Sequence, residues 1–180
     1  MSRRVVIRSE WMPDANEGRI GKEIIDEAAR QMREQGLVSV VVDLPRTGTP
    51  KEPGSESFWA KPLAQDLYEL QNVPFFAYDL HLGDVVRATA SDPDRLLKIR
   101  EVVSRGGHKT LRVFFDSSIS DSDRLAMLED LRQWGGTAEQ AWGRMFSVDV
   151  EPSGDYGAVC DRLWAWEKEG KLAYETGATK

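Results

Sequence analysis

The chain has 180 residues, 41% hydrophobic and 30% charged, with a formal net charge of −6 and a single cysteine. This is the composition of a folded chain, long enough to bury roughly 70% of its unfolded surface in one domain or two small ones. One cysteine excludes an internal disulfide, and no run approaches the roughly 18 apolar residues that span a bilayer. The first ten residues carry a basic pair and a short apolar run before charge returns, well short of the roughly seven-residue apolar stretch of a secretory signal. A cytoplasmic location is therefore expected.

Residues 1–44 read as an N-terminal strand-helix-strand extension. Val5-Val6-Ile7 is a strand core and Asn16 an N-cap. Ile20, Ile24, Ala28 and Met32 then recur at spacing four, widened by Ile25 and Ala29, as the apolar stripe of a helix. Gly36 stands where a left-handed C-terminal cap belongs, and Val38 to Val42 is a β-branched run expected as a buried strand. Residues 45–55 hold three prolines and two glycines and are expected to be a flexible loop.

Residues 56–115 form the strand-rich region. The predicted strands are Phe58–Leu63, Asp66–Leu70, Val73–Tyr78, Asp84–Thr89, Leu96–Val103 and Thr110–Phe115. Turn material separates several of them, at Gln71-Asn72, His81-Leu82-Gly83, Ser91-Asp92-Pro93-Asp94 and Arg105-Gly106-Gly107. Short strands with frequent turns point to a meander or small antiparallel barrel. The periodicity of Leu96–Val103 fits a helix as well as a strand.

Residues 110–176 alternate. After the Thr110–Phe115 strand, Ser120 and Asp123 resemble a capping pair, and Leu125, Leu128, Leu131 and Trp134 form a helical stripe stopped at Gly135-Gly136. Met145–Val150 reads as a half-buried strand. A second helix follows Pro152-Ser153, with Tyr156, Val159, Cys160, Leu163 and Trp164 on one side, and Leu172–Tyr174 is a candidate closing strand. The fold class is α+β: a strand-rich barrel or meander followed by a ferredoxin-like strand-helix-strand-helix unit with its helices on one sheet face.

Four ordered motifs carry a family resemblance. They are Phe58-Trp59-Ala60-Lys61-Pro62-Leu63, Leu67-Tyr68-Glu69-Leu70-Gln71-Asn72-Val73-Pro74-Phe75-Phe76-Ala77-Tyr78, Gly83-Asp84-Val85-Val86-Arg87-Ala88 and Gly107-His108-Lys109-Thr110-Leu111-Arg112-Val113. The series resembles the bacterial family known as domain of unknown function 4265, over about Glu56 to Val150, and leaves residues 1–55 outside. The resemblance implies a bacterial, cytosolic α+β protein. It implies no catalytic or ligand-binding role at any position.

The polar residues of these motifs are the candidate site. Asp79, His81 and Asp84 fall within six residues about a turn. Histidines and carboxylates can bind metals or exchange protons, but a metal needs about three convergent ligands and His81-Leu82-Gly83-Asp84 matches no ligand spacing. The plainer expectation is a turn in which Gly83 supplies an unusual backbone angle and Asp84 caps it. Alternation places His108, Thr110 and Arg112 on one face of their strand, opposite Leu111, Val113 and Phe115. Such a face either binds a carboxylate or phosphate through imidazole and guanidinium, or simply meets solvent. Cys160, on an apolar helix side, is expected to be a buried, inert thiol. No nucleophile elbow and no glycine-rich phosphate loop is present.

The acidic imbalance lies wholly in residues 116–180, which hold seven basic against thirteen acidic side chains. Such a surface repels phosphate backbones and attracts a basic protein. Of the six tryptophans, Trp134 belongs to a core stripe, Trp11 sits in a loop, Trp59, Trp142 and Trp166 are not buried by pattern alone, and Trp142 and Trp166 are the candidate partner contacts. The leading expectation is a non-enzymatic binding or protein-interaction module, immunity-like or antitoxin-like in its sharpest form. It involves no cofactor, metal, membrane or nucleic acid. The alternative is a small-molecule enzyme or ligand-binding protein with a polar site around His81, Asp84, His108 and Arg112.

Overall fold

The structure is a computed structural model that describes residue 27 and residues 29–45, 53–91 and 96–177. The expected Val5–Ile7 strand, the Asn16 cap, the stripe from Ile20 to Ala28, Trp11 and residues 46–52 of the proline-glycine loop lie outside the described residues. Helical residues 29–34 lead to Gly36, whose φ of 78° is the left-handed geometry expected there.

Five strands close into a barrel: β1 (Val38–Asp43), β2 (Ser55–Ala64), β3 (Leu67–Leu70), β4 (Val85–Ser91) and β5 (Leu96–Ser104). Successive strands are antiparallel, and closure is parallel, through Val40 opposite Leu97 and Val41 opposite Lys98. Alternation supplies the interior. Val40, Phe58, Ala60, Leu70, Val86 and Ala88 point inward and are buried, small residues beside large ones as a narrow barrel requires. β1 comes from the segment the sequence set apart as an extension, yet it is a full barrel strand with neighbours on both sides. Leu96–Val103 resolves as strand because β4 offers it a ladder along its length.

The second unit is a four-stranded antiparallel sheet in the order β7-β8-β6-β9, built from β6 (Lys109–Phe115), β7 (Gly136–Trp142), β8 (Met145–Val150) and β9 (Leu172–Thr176). Helix α1 (Asp121–Asp130) connects β6 to β7 through a 3₁₀ turn at Leu131–Trp134, and α2 (Tyr156–Lys168) connects β8 to β9. Sequence reading missed β7: Gly, Ala, Glu and Gln have weak strand propensity, and pairing with β8 decides its conformation.

Both helices are capped by side chains. Ser120 Oγ accepts the N–H of Asp123 at 3.2 Å and donates to its carboxylate at 2.6 Å, while Asp155 accepts the N–H of Ala158 at 3.0 Å. The helices bury Leu128, Leu131, Val159, Leu163 and Trp166 against Leu111, Val113, Phe115, Phe146, Val148 and Val150 of one sheet face. Two helical positions differ from expectation. Leu125 is 63% exposed and Trp164 54% exposed, whereas Trp166 is only 4% exposed. The inward face of α2 runs Val159, Leu163, Trp166, at i, i+4 and i+7, and this rotates Trp164 outward.

Besides the short β5–β6 link, a long connection within the barrel lies against the sheet. The chain leaves β3 after Leu70 and returns at Gly83, where Leu70 N–H bonds Asp84 O and Gly83 N–H bonds Leu70 O, each at 2.9 Å. Residues 71–82 are thus an excursion from a closed neck, an Ω-type loop. Val73–Tyr78, expected as a strand, has no ladder partner among the described residues. Its backbone groups are taken by side chains instead.

Candidate functional site

The sheet face opposite the helices is largely polar in sequence yet buried, with Phe114 and Met145 as its apolar members. Thr110, Arg112, Ser147, Asp149 and Glu175 are each at most 6% exposed. The connection covers this face, so the expectation of a solvent-facing strand side at Thr110 and Arg112 is corrected. Buried polar atoms need partners, and the backbone of residues 74–79 supplies many of them.

Arg112 reaches across from β6. Its Nε donates to Phe75 O at 2.5 Å and its Nη2 to Ala77 O. Its guanidinium carbon lies 4.4 Å from the centre of the Tyr78 ring, and Nη1 is 3.8 Å from Glu175 Oε1, which also accepts the Tyr78 hydroxyl at 2.7 Å. Burial pulls the Arg112 pKa down, against the carboxylates of Glu175 and Glu56 and the Tyr78 hydroxyl. Nη1 has no hydrogen-bond partner, so this donor rests on charge attraction alone. Ser147 Oγ adds a bond to Pro74 O at 2.6 Å.

From the barrel side, Glu56 of β2 takes the opposite groups of the same segment. Its carboxylate accepts the N–H of Phe75 at 2.6 Å, of Phe76 at 3.0 Å and of Ala77 at 2.6 Å. Burial raises its pKa, against those three donors and Arg112. Sequence reading did not single out Glu56. Its signal is a carboxylate at an inward position of the alternating strand Glu56, Phe58, Ala60.

Of the four predicted site residues, Asp84 is fully buried and committed to the neck. Its carboxylate accepts His81 N–H at 3.1 Å, Gly106 N–H at 3.0 Å and Arg105 Nη1 at 2.8 Å. Gly83 has φ of +75°, the backbone angle expected at this turn. His81 is 8% exposed, and its Nδ1 lies 3.0 Å from Thr110 Oγ1 and accepts Thr110 N–H at 3.2 Å. Burial lowers its pKa below the ordinary imidazole value, against the attraction of Asp84.

His108 is the accessible member, with a side chain 22% exposed and Nδ1 2.7 Å from Asp149 Oδ2. Burial raises the Asp149 pKa, and the bond to His108 opposes it. The His108 ring lies against Gly83, where an added Cβ would come within 3.3 Å of Cδ2. The structure therefore gathers His81, Asp84 and His108 about the neck of the connection. Arg112 sits with Tyr78 and Glu175, its charge spent on peptide carbonyls. Among the described residues no group of three or more His, Cys, Asp or Glu is placed to hold a metal.

For the partner contacts, Trp166 belongs to the helix–sheet core under the Arg162 guanidinium, 4.5 Å from its ring centre, so a surface role for it is corrected. The side chain of Trp142 lies outside the described residues. Trp164, which sequence reading placed in the core, is the exposed tryptophan of α2. Among the described residues no helix is long and apolar enough to cross a membrane.

Comparison with curated proteins finds no match. Among solved structures the chain is similar to one described as "Novel crystal structure of a hypothetical protein from Neisseria gonorrhoeae". The TM-score is 0.62 at 18% sequence identity, covering 78% of this chain and 95% of that one. At that identity the likeness is one of fold. The family model described as Domain of unknown function (DUF4265) matches residues 56–174, a span that takes in all four sequence motifs, the connection and the sheet beneath it. The chain belongs to the DUF4265 family.

Proposed function

We propose that this protein is a non-enzymatic binding module that engages a basic protein partner through the outer face of its two helices. The observation that carries the reading is Trp164, 54% exposed on α2 among the acidic side chains of the chain's last third. Asp161 precedes it by one turn, and Asp155, Glu167 and Glu169 lie on or beside the same helix. An exposed indole is an effective anchor, and surrounding carboxylates favour a cationic partner and its rate of encounter. The ring already receives a cation, since Lys168 Nζ lies 5.1 Å from its centre.

In its sharper form the reading is immunity-like or antitoxin-like: an acidic bacterial, cytoplasmic protein that neutralises a basic effector. The chain order strand-helix-strand-strand-helix-strand and the sheet order β7-β8-β6-β9 support describing the second unit as ferredoxin-like, a scaffold that leaves its helical face free.

Affinity capture from the native host, with wild type and Trp164→Ala compared at low and high ionic strength, tests the proposal. Wild type should retain a basic protein that salt releases, and the variant should lose it by about tenfold or more. Retention insensitive to both salt and Trp164 would count against the reading.

The alternative, a ligand site at the neck, is favoured by one observation. Asp149 fixes one nitrogen of His108 while the ring stays partly open to solvent. Chemical-shift mapping of His108 against a panel of small carboxylates and phosphates tests it, and an unresponsive ring removes it.

A further inference from the structure

The two sides of the connection are chemically unlike. Toward the barrel, Ala77 and Leu80 pack into the apolar interior, and Glu56 secures three peptide N–H groups. Toward the sheet, the ties described above are polar. The barrel and its loop thus form one body whose seam with the sheet is largely polar, beside Phe114 and Met145, which are buried on the same sheet face. The loop's neck is closed by its own backbone pairs at Leu70, Gly83 and Asp84, so parting along the seam leaves the barrel ladder untouched.

His81 sits at the end of that seam. Thr110 N–H donates to its Nδ1, and a ring nitrogen that accepts a hydrogen bond carries no proton. The ring is therefore the neutral, Nε2–H tautomer. The imidazole takes a strand donor just beyond the β6–β9 pairing, which begins at Leu111 opposite Thr176. Gly177 lets the end of β9 approach Thr110 closely, since a Cβ there would stand 2.9 Å from the Thr110 carbonyl oxygen and 3.0 Å from its Cβ. A proton added at Nδ1 removes the acceptor of the Thr110 N–H and turns the ring into a donor toward Thr110 Oγ1, 3.0 Å away.

We propose that the barrel with its loop and the four-stranded sheet part along this polar seam on acidification, and that the His81–Thr110 contact is the catch that releases first. The charged groups acting on the ring are Asp84 from the neck, Arg105 from the β5–β6 loop, and Lys109 and Arg112 from β6; Gly177 at the end of β9 brings only backbone. Burial disfavours the protonated ring most; Asp84 favours it, and the three cations oppose it. The folded ring therefore holds its proton less tightly than the unfolded one. Stability is whole above the ordinary imidazole value of 6.5, and it is lost as the pH falls from there through the lower folded value.

Residue-resolved amide hydrogen exchange across about pH 7.5 to 4.5 tests the proposal, with rates corrected for the intrinsic effect of pH. Protection of the Thr110 amide should fall by about tenfold or more over that range, while Val113, laddered on both sides in β6, keeps its protection. In His81→Gln, which retains an acceptor and cannot ionise, the Thr110 protection should lose its pH dependence. The His81 ring nitrogens of wild type, followed by NMR, should titrate with the same midpoint as the loss of Thr110 protection, a check that needs no variant. Constant Thr110 protection in wild type, an unchanged pH dependence in His81→Gln, or two distinct midpoints overturns the proposal.

Discussion

Glu56 and Arg112 hold the two edges of the same stretch of backbone. Glu56, on the barrel, accepts the N–H groups of residues 75–77; Arg112, on the sheet, donates to the carbonyls of residues 75 and 77. The carboxylate and guanidinium do not form a direct pair. The peptide units between them act as the intermediary, each edge meeting the charge that suits it.

This predicts a coupled loss. Glu56→Gln places an amide N–H₂ among N–H donors and should cost about 1–3 kcal/mol. Arg112→Met leaves Glu175 buried without its cation and should cost about 3–5 kcal/mol. Arg112→Lys should not restore stability, since one ammonium cannot reproduce the planar fork. Urea unfolding midpoints at constant slope measure each loss. The double variant should lose less than the sum by more than about 0.5 kcal/mol; strict additivity would mean that the two residues do not share the segment.

Gly106 is the closest backbone approach at the neck. A Cβ there would fall on the carbonyl of Gly83, 2.5 Å from its carbon and 2.9 Å from its Cα. Both contacts are to main chain, so no side chain can swing away. Gly106→Ala should destabilise by about 1–3 kcal/mol, a fall in Tm of about 2–4 °C per kcal/mol for a domain of this size. A melting curve unchanged from wild type would contradict the packing described.

The two tryptophans of α2 should separate cleanly. Trp166→Ala opens a cavity among Val159, Leu163 and the sheet and should cost about 3–5 kcal/mol. Trp164→Ala should stay within about 0.5 kcal/mol of wild type. Chemical denaturation of both variants measures the contrast, and comparable losses would place Trp164 in the core after all.

Cys160 packs against the helix–sheet core. Burial pushes its thiol pKa up, with Asp161 adding to the rise and a hydrogen bond with Tyr156 opposing it. Little thiolate is then present near pH 8, and alkylation of the folded protein should run at least about tenfold slower than in urea. Equal rates would show the thiol to be open to solvent.

How much of this was legible in the sequence differs by element. The alternation in Phe58–Leu63 and in Asp84–Thr89 showed strands because alternation follows from local geometry. The same logic put Thr110 and Arg112 on one face and Leu111 and Val113 on the other. It did not show that the polar face was covered, because the cover comes from residues 71–82, far away in sequence. Val73–Tyr78 looked like a strand for its aromatic and β-branched content, with Pro74 as the dissenting signal. Its conformation is set instead by a carboxylate and a guanidinium contributed from outside it. Trp164 and Trp166 were exchanged because a two-residue step along a helix turns about 200°, and only the packed sheet shows which of them faces inward.

The parallel closure of the barrel has a bearing on where this protein can be divided. The family match begins at residue 56, whereas β1, which seals β2 to β5, ends at Asp43. A polypeptide begun at Glu56 would keep all of the recognised sequence and lose the stave that joins the barrel's two ends. Phe58 and Ala60 would face an open slot, and two unpaired strand edges would invite association with other chains. The span that the family model recognises and the closed barrel are offset by one strand.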